Sequence, residues 1–448
     1  MRADVATRQA WLVWTTAVII YVAAVFHRSS LGVAGIAAAQ RFGVGPAALG
    51  TLTVLQALVY AAMQVPTGLL VDRFGPRRVL TVSCVLMGFG QLAFAIADSY
   101  ALGLAARAVL GLGDALTFVS ILRLVAAHFP ARQYAVVVTI TAALGAIGNL
   151  AATVPLTLLL ESVGWTATFL VAGVGTAVYS GLAMARLRDR PAGEPARPGV
   201  ADGPARLLSG VRSVWRVPGT RLSFWVHFST MFAPSVLGLL WGVPYLVGAQ
   251  GLSERAASSV LALTVIVAMI AGPALGALIS RRPEWRMPLV VGYLGIAVCV
   301  WAVLLGWSGP LPSAVLFVAF GLLSLGMPVS AIAFAIVRDY NSLRRVGTAT
   351  GVVNVGGFCA TTLACLGVGV VLDQFSALPQ VTAFRIALLV VAGMLVLGIW
   401  RTAVWWRRAR AAVFAAEARG ELVPVRLRYR RRWDAQPVPV AAPVAAAA

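Results

Sequence analysis

Asp114 is an acid set deep in a long apolar stretch, and Arg107 precedes it by seven residues. On a helix that spacing puts both side chains on one face. His27 and Arg28 form a second ionisable pair in an earlier apolar stretch, and His227 stands in a later one. Arg123 lies near the end of the stretch that holds Asp114, where a long side chain can reach toward the bilayer surface. Ionisable groups inside a bilayer are costly and mark substrate or proton paths. Arg offers a planar fork suited to carboxylate or phosphate. Asp can take a proton. His titrates near neutrality or hydrogen-bonds within a helix bundle, and both readings of His27 stand open; His227 reads as a packing residue. Two Arg and one Asp in one layer leave surplus positive charge, which suits an anionic substrate. Gln56, Tyr60 and Gln64 recur every four residues and share a helix face. With Asn149 and Asn354 they are read as substrate contacts; interhelical hydrogen bonding is the alternative for each.

The elements that position these groups follow from composition. Of 448 residues, 60% are hydrophobic and 11% charged, against about 25% charged in a soluble domain. A chain of this length cannot hide so much apolar surface from water, so most of it must face lipid. We count twelve stretches long enough to span: roughly 11–38, 46–71, 79–97, 100–127, 134–160, 166–186, 222–248, 255–280, 287–307, 311–337, 347–372 and 383–406. The first runs too long for a cleaved signal peptide. All 36 basic residues are Arg, and the net charge is +21. The Arg cluster after even-numbered stretches and at both termini, which predicts cytoplasmic termini and a multi-pass plasma-membrane protein. The same distribution makes the basic balance topogenic, with no nucleic-acid partner expected. At ~1.5 Å per residue, Arg107 lies about 10 Å, and Asp114 about 20 Å, from one face, while Arg28 lies about 25 Å from the other. These depths place all three in one central layer.

Residues 1–186 and 222–407 read as two six-helix halves. Residues 187–221 form a cytoplasmic linker rich in Pro, Gly and Arg, within which Arg206 to Arg216 reads either as a short surface helix or as a plain loop. Residues 408–448 read as an Arg-rich, disordered cytoplasmic tail. The Trp residues at span ends, Trp11, Trp14, Trp405 and Trp406, read as interfacial anchors. Cys84, Cys299, Cys359 and Cys365 are scattered through apolar stretches, so neither a disulfide nor a metal site is expected. No phosphate-binding loop is present for an ATP-driven pump, no cofactor is expected, and a proton gradient is the expected driving force.

The run Gly68-Leu-Leu-Val-Asp72-Arg73-Phe-Gly75-Pro-Arg77-Arg78 resembles the cytoplasmic loop signature of major facilitator superfamily transporters at every fixed position. Gly276-Ala-Leu-Ile-Ser280-Arg-Arg resembles a degenerate second copy. The resemblance implies an all-α membrane fold of twelve helices in two pseudo-symmetric halves. It implies a transporter rather than an enzyme, working by alternating access; nothing in it demands more than a monomer. In it, Gly68, Asp72, Arg73, Gly75, Arg77 and Arg78 would latch one conformational state, with Asp72 accepting hydrogen bonds at the start of the eleventh span near Gly347. Tyr21…His27-Arg28-Ser-Ser-Leu-Gly-Val-Ala and Arg107-Ala-Val-Leu-Gly-Leu-Gly-Asp114 are similar to the anion:cation symporter branch, which carries sugar acids, organic anions and organophosphates. That likeness implies proton-coupled symport of a small organic anion. Arg28 would bind the anion, while Asp114 would take the proton and pair with Arg107. His27 stands where the branch usually has Asp, and joins the proton-coupling set. Gly145, Gly148, Asn149, Ala152 and Pro155 resemble a loose form of a fifth-helix pattern whose complete form is associated with drug antiporters; the Gly-Pro pair is absent here, which weighs against efflux. Efflux by the same fold is the alternative, and a transporter-like sensor a third reading.

Overall fold

Long apolar runs bounded by Pro, Gly and Arg fold as helices, because lipid leaves backbone polar groups no partner outside the chain. The computed structural model describes residues 7–44, 46–191, 204–307 and 309–421, and among them there is no strand. Eleven helices are long and apolar enough to cross a membrane, and a twelfth span forms from Val54–Ala62 and Gln64–Phe74, bent by 48°. In chain order the first half is α1 (Arg8–Phe42), α2 (Pro46–Ala62 and Gln64–Phe74), α3 (Pro76–Ile96), α4 (Tyr100–Ala115 and Thr117–His128), α5 (Ala131–Ala151) and α6 (Val154–Arg186). The second half is α7 (Pro218–Ala249), α8 (Glu254–Arg281), α9 (Arg286–Gly306), α10 (Ser313–Tyr340), α11 (Val346–Gln374) and α12 (Gln380–Ala418). α7 departs from a regular helix at Leu237–Trp241 and Tyr245–Ala249, where Pro234 and Pro244 remove amide donors.

Three sequence expectations change. The fifth apolar stretch, expected to run unbroken over 134–160, breaks at Ala152 and Thr153, because Pro155 belongs in the first turn of a helix. The helix that follows contains Gly164 at φ 77° and ψ 177°, a turn ahead of the sixth span. The final helix continues past the membrane to Ala418, burying Ala409, Arg410 and Val413, so 408–418 is ordered structure rather than the start of a disordered tail. Residues 422–448 lie outside those described. Lastly, Trp14 and Trp405 are buried packing residues, not surface anchors. Trp14 donates its indole N–H to Thr141 on α5 at 2.9 Å.

Between the halves, Pro204–Arg216 forms a short linker helix. It buries Val214, sets Trp215 edge-on against Phe224 at 5.2 Å, and accepts a hydrogen bond from Arg345 on Ser213.

The two halves meet along two seams that repeat one design. In the first, α2 lies on α11: a Cβ on Gly68 would sit 2.6 Å from the Gly347 carbonyl oxygen and 2.7 Å from Thr348 Cα. In the second, α8 lies on α5, and a Cβ on Gly276 would sit 2.9 Å from Val136 Cα. The Gly68 contacts are backbone against backbone, so no side-chain rotation relieves them; at Gly276 the Thr139 hydroxyl is met first, with the Val136 backbone behind it. Glycine here serves close helix approach.

Candidate functional site

Arg28 and Asp114 are brought together from α1 and α4. Arg28 Nε donates to one Asp114 oxygen at 2.8 Å and Nη2 to the other at 2.7 Å, a bidentate pair. The Asp114 side chain is fully buried and that of Arg28 is 37% exposed. Asp114 gets there because α4 packs tightly on α3: Ser83 donates to the Gly113 carbonyl at 2.8 Å, and a Cβ on Gly113 would meet the Ser83 carbonyl oxygen at 2.9 Å. Directly after Asp114 the helix breaks at Leu116, and Thr117 donates its hydroxyl to the Asp114 carbonyl. Tyr60 of α2 lies beneath the Arg28 guanidinium, 4.6 Å from ring centroid to Cζ.

The expected Asp114–Arg107 pairing is not the one formed. Seven residues on one helix separate the two by about 10 Å along its axis, too far for direct contact, and Arg28 from the neighbouring helix fits instead. Arg107 is fully buried and donates to the backbone carbonyls of His27 at 3.1 Å and Arg28 at 3.4 Å, with its Cζ 5.4 Å from the Phe94 ring. It braces α1 where the site is built. His27 points away into its own half: Nε2 meets Thr176 Oγ1 on α6 at 2.8 Å. Arg28 and His27 are consecutive, so a helix sends them in different directions.

The remaining polar candidates divide. Gln56 is 2% exposed, and neither amide atom has a protein partner. Asn149 is exposed and accepts a bond from Ser29, next to Arg28, at 2.5 Å. Gln64 and Asn354 bond each other across the halves at 2.6 Å, and Gln64 also donates to the Tyr60 carbonyl. In this conformation those two amides close the seam rather than face a ligand.

On the side nearer the chain termini, aromatic rings form a floor under the pair. Tyr21 lies 5.4 Å from Phe118, Phe118 lies 5.5 Å from Phe334 of the other half, and Phe334 lies 4.8 Å from His227. Tyr60 reaches Phe358 across the halves at 4.8 Å. His227 is buried with neither ring nitrogen hydrogen-bonded. Sequence reasoning missed Phe118, Phe334 and Phe358, since an aromatic within an apolar span carries no distinguishing signal.

Further toward that end, Asp72 accepts the backbone N–H groups of Gly347 (3.0 Å) and Thr348 (2.7 Å) and the Thr348 hydroxyl (2.8 Å). An anion at a helix N-terminus is favoured by the orphan amides and the helix dipole. Arg123, expected to reach for the membrane surface, instead turns to Asp72 at 3.4 Å. Gly75 and Arg77 anchor the loop within the first half: the Arg77 amide donates to Asp189 at 2.8 Å and its Nε to the Met184 carbonyl at 2.9 Å. Arg73 lies 5.0 Å from the Phe74 ring. At the second seam Ser280 accepts the Val136 N–H at 3.2 Å. A further inter-half contact was legible only as an Arg at a span end: Arg338 donates to the Ala126 and Phe129 carbonyls and covers the Tyr134 ring at 4.9 Å.

Two helical halves, one holding a partly open Arg–Asp pair, closed at one end by helix-on-helix seams, define a membrane carrier. The chain belongs to the Major Facilitator Superfamily, whose model matches residues 17–334. It is a membrane transporter, not an enzyme. It is 26% identical over 273 residues to "Probable sulfoacetate transporter SauU" of Cupriavidus necator, covering 59% of this chain and 63% of that protein. With "Probable galactarate/D-glucarate transporter GarP" of Escherichia coli it shares 23% identity, over 80% of this chain and 87% of that one. With "Methyl viologen resistance protein SmvA" of Salmonella typhimurium it shares 26%, over 79% and 73%. The fold matches the crystal structure of FucP, a Major Facilitator Superfamily transporter in the outward conformation, at a TM-score of 0.68 and 14% identity, covering 88% of this chain and 99% of that one.

Proposed function

We propose that the chain is a secondary active transporter of the plasma membrane, with cytoplasmic termini, that couples the entry of a small organic anion to protons by alternating access. The observation that carries this reading is the Arg28–Asp114 pair, whose carboxylate is buried and whose guanidinium is partly open. A substrate carboxylate arriving at the Arg28 fork competes with Asp114 for the same donors. A carboxylate that loses its cation in a buried layer is held more cheaply as the neutral acid. Anion binding and proton uptake therefore favour one another at a single pair. Tyr60 lies beside the fork, and Gln56, one turn along α2 against Gly111 of α4, is the further group proposed to orient the rest of the substrate. With cytoplasmic termini, the latched end faces inward and this conformation is outward-facing. The sugar-acid and sulfonate substrates named for GarP and SauU support the anionic class.

The likeness to SmvA favours a second reading, efflux of a cationic compound. Surplus guanidinium charge beside the site argues against it.

Proton flux in proteoliposomes separates the two. Galactarate or sulfoacetate, added outside vesicles of purified protein, is expected to drive proton entry, and Asp114→Asn to abolish that entry. His27→Gln is expected to leave the pH profile of uptake in place, since its ring faces α6. Absence of any anion-driven flux, with methyl viologen exchanging for protons instead, would replace symport by efflux.

A further inference from the structure

Where α7 and α12 meet at the termini-bearing end, three Arg and four Trp come together without an acid. Arg221 lies between the Trp215 ring at 5.4 Å and the Trp405 ring at 4.6 Å, and donates Nε to the Trp215 carbonyl at 2.6 Å. Arg401 lies 5.0 Å from the Trp225 ring and 5.5 Å from that of Trp400. Arg408, one heptad on, covers Trp405 from 4.7 Å. Arg221 is within electrostatic reach of both Arg401 and Arg408. Among the described residues, no carboxylate is ion-paired with any of the three. Like charges held this close repel unless an anion lies among them.

The unpartnered atoms here are all donors. Arg401 Nε, Trp225 Nε1 and Trp405 Nε1 are buried without an acceptor, and Trp405 is 6% exposed. Buried donors in native structures are nearly always bonded. These atoms are themselves covered by protein, so an occupant meets the guanidinium groups around them, and it must be rich in acceptors and negatively charged. A phosphodiester meets both conditions.

The position selects its source. Arg401 is 21 residues into α12, or about 32 Å at ~1.5 Å per residue, which is the edge of a hydrocarbon layer about 30 Å thick. Just toward the bilayer interior, Val396, Leu397 and Trp400 are exposed, at 64%, 40% and 58%. Acyl chains would lie against them. We propose that Arg221, Arg401 and Arg408, framed by Trp215, Trp225 and Trp405, form a binding site for the phosphodiester headgroup of an anionic phospholipid in the leaflet on the termini side. Because Trp215 belongs to the linker helix, a lipid bound there ties the linker to the second half.

The test uses the full-length protein, delipidated in detergent, with melting temperature and native mass spectrometry as readouts. Added phosphatidylglycerol is expected to raise the melting temperature and to remain bound as a discrete adduct, while phosphatidylcholine does neither. Arg401→Gln and Arg408→Gln are each expected to weaken the response about fivefold, the ratio for one basic residue at an anionic membrane surface. Arg408 is exposed, so its variant tests the site even where the variant at half-buried Arg401 folds poorly. Arg419→Gln, which removes a residue paired with Glu421, is expected to respond as the parent does. Equal stabilisation by phosphatidylcholine, equal stabilisation by inorganic phosphate, or an undiminished phosphatidylglycerol response in both the 401 and 408 variants would each overturn the assignment.

Discussion

Replacing Arg28 with Gln is expected to reduce anion uptake by more than a hundredfold, measured as initial rates in proteoliposomes at saturating proton gradient. Two effects combine. The substrate loses a bidentate fork, and Gln offers a single neutral donor in its place. Asp114 loses its partner while remaining fully buried. Removing one member of a buried pair costs about 3–5 kcal/mol, which is itself more than a hundredfold in an equilibrium. Arg28→Lys is expected to rescue little, because an ammonium cannot reproduce two parallel N–H donors toward the Asp114 oxygens. Asp114→Asn distinguishes the two effects. It keeps the Arg28 guanidinium but removes the proposed proton acceptor, so counterflow of labelled anion should persist while proton-driven accumulation disappears. Near-parental accumulation in Arg28→Gln would remove this pair from the mechanism.

Gly68→Val is expected to abolish the closed seam between α2 and α11. An added Cβ would meet the Gly347 carbonyl oxygen and Thr348 Cα below 3 Å. Both are backbone atoms, and neither can rotate aside. The helices must part, and Asp72 then leaves the Gly347 and Thr348 amides and the Thr348 hydroxyl. Spin labels on cysteines introduced at Arg78 and Arg344, in a background without native Cys, report the outcome. The parent protein should hold one short distance. Gly68→Val should shift the distribution by several ångströms and lower transport, because a carrier that cannot close one end cannot alternate. Asp72→Asn should produce a partial shift. Asparagine keeps one acceptor oxygen but presents an NH2 group to an amide donor.

Much of this was legible in the sequence, for identifiable reasons. Apolar run length fixed the number of spans, since lipid permits few alternatives to a helix. The Gly68–Arg78 signature carried its own geometry: a small residue for close approach, and an acid aimed at a helix start. The common layer of Arg28 and Asp114 was also readable, from residue counts alone; Arg107 was placed in that layer although about 10 Å of helix axis separates it from Asp114. The partner of Asp114 was not readable. Arg107 shares a helix and a face with Asp114 but stands about 10 Å along the axis from it, whereas the reach of Arg28 depends on how α1 is rotated against α4, which depth does not specify. The same limit applies to Gln64 and Asn354: substrate contact and interhelical bonding were both open for them, and they bond each other. Arg123 was read from its depth as a surface-seeking charge, and packing turned it to Asp72. The extension of α12 to Ala418 was hidden because Arg-rich composition reads as solvated chain, while the Ala409, Arg410 and Val413 face that buries it is short.

The two seams are alike in their glycines but unequal in their acceptors. On one side, a carboxylate receives three donors from α11 and lies near Arg123. On the other, the Ser280 hydroxyl receives one amide. Charge-assisted bonds are roughly twice as strong as neutral ones. The closed end therefore behaves as a door with a hasp on one edge and a light catch on the other. In the alternating cycle proposed above, the edge between α2 and α11 would then be the slower to part, and its release would set the waiting time for each full opening.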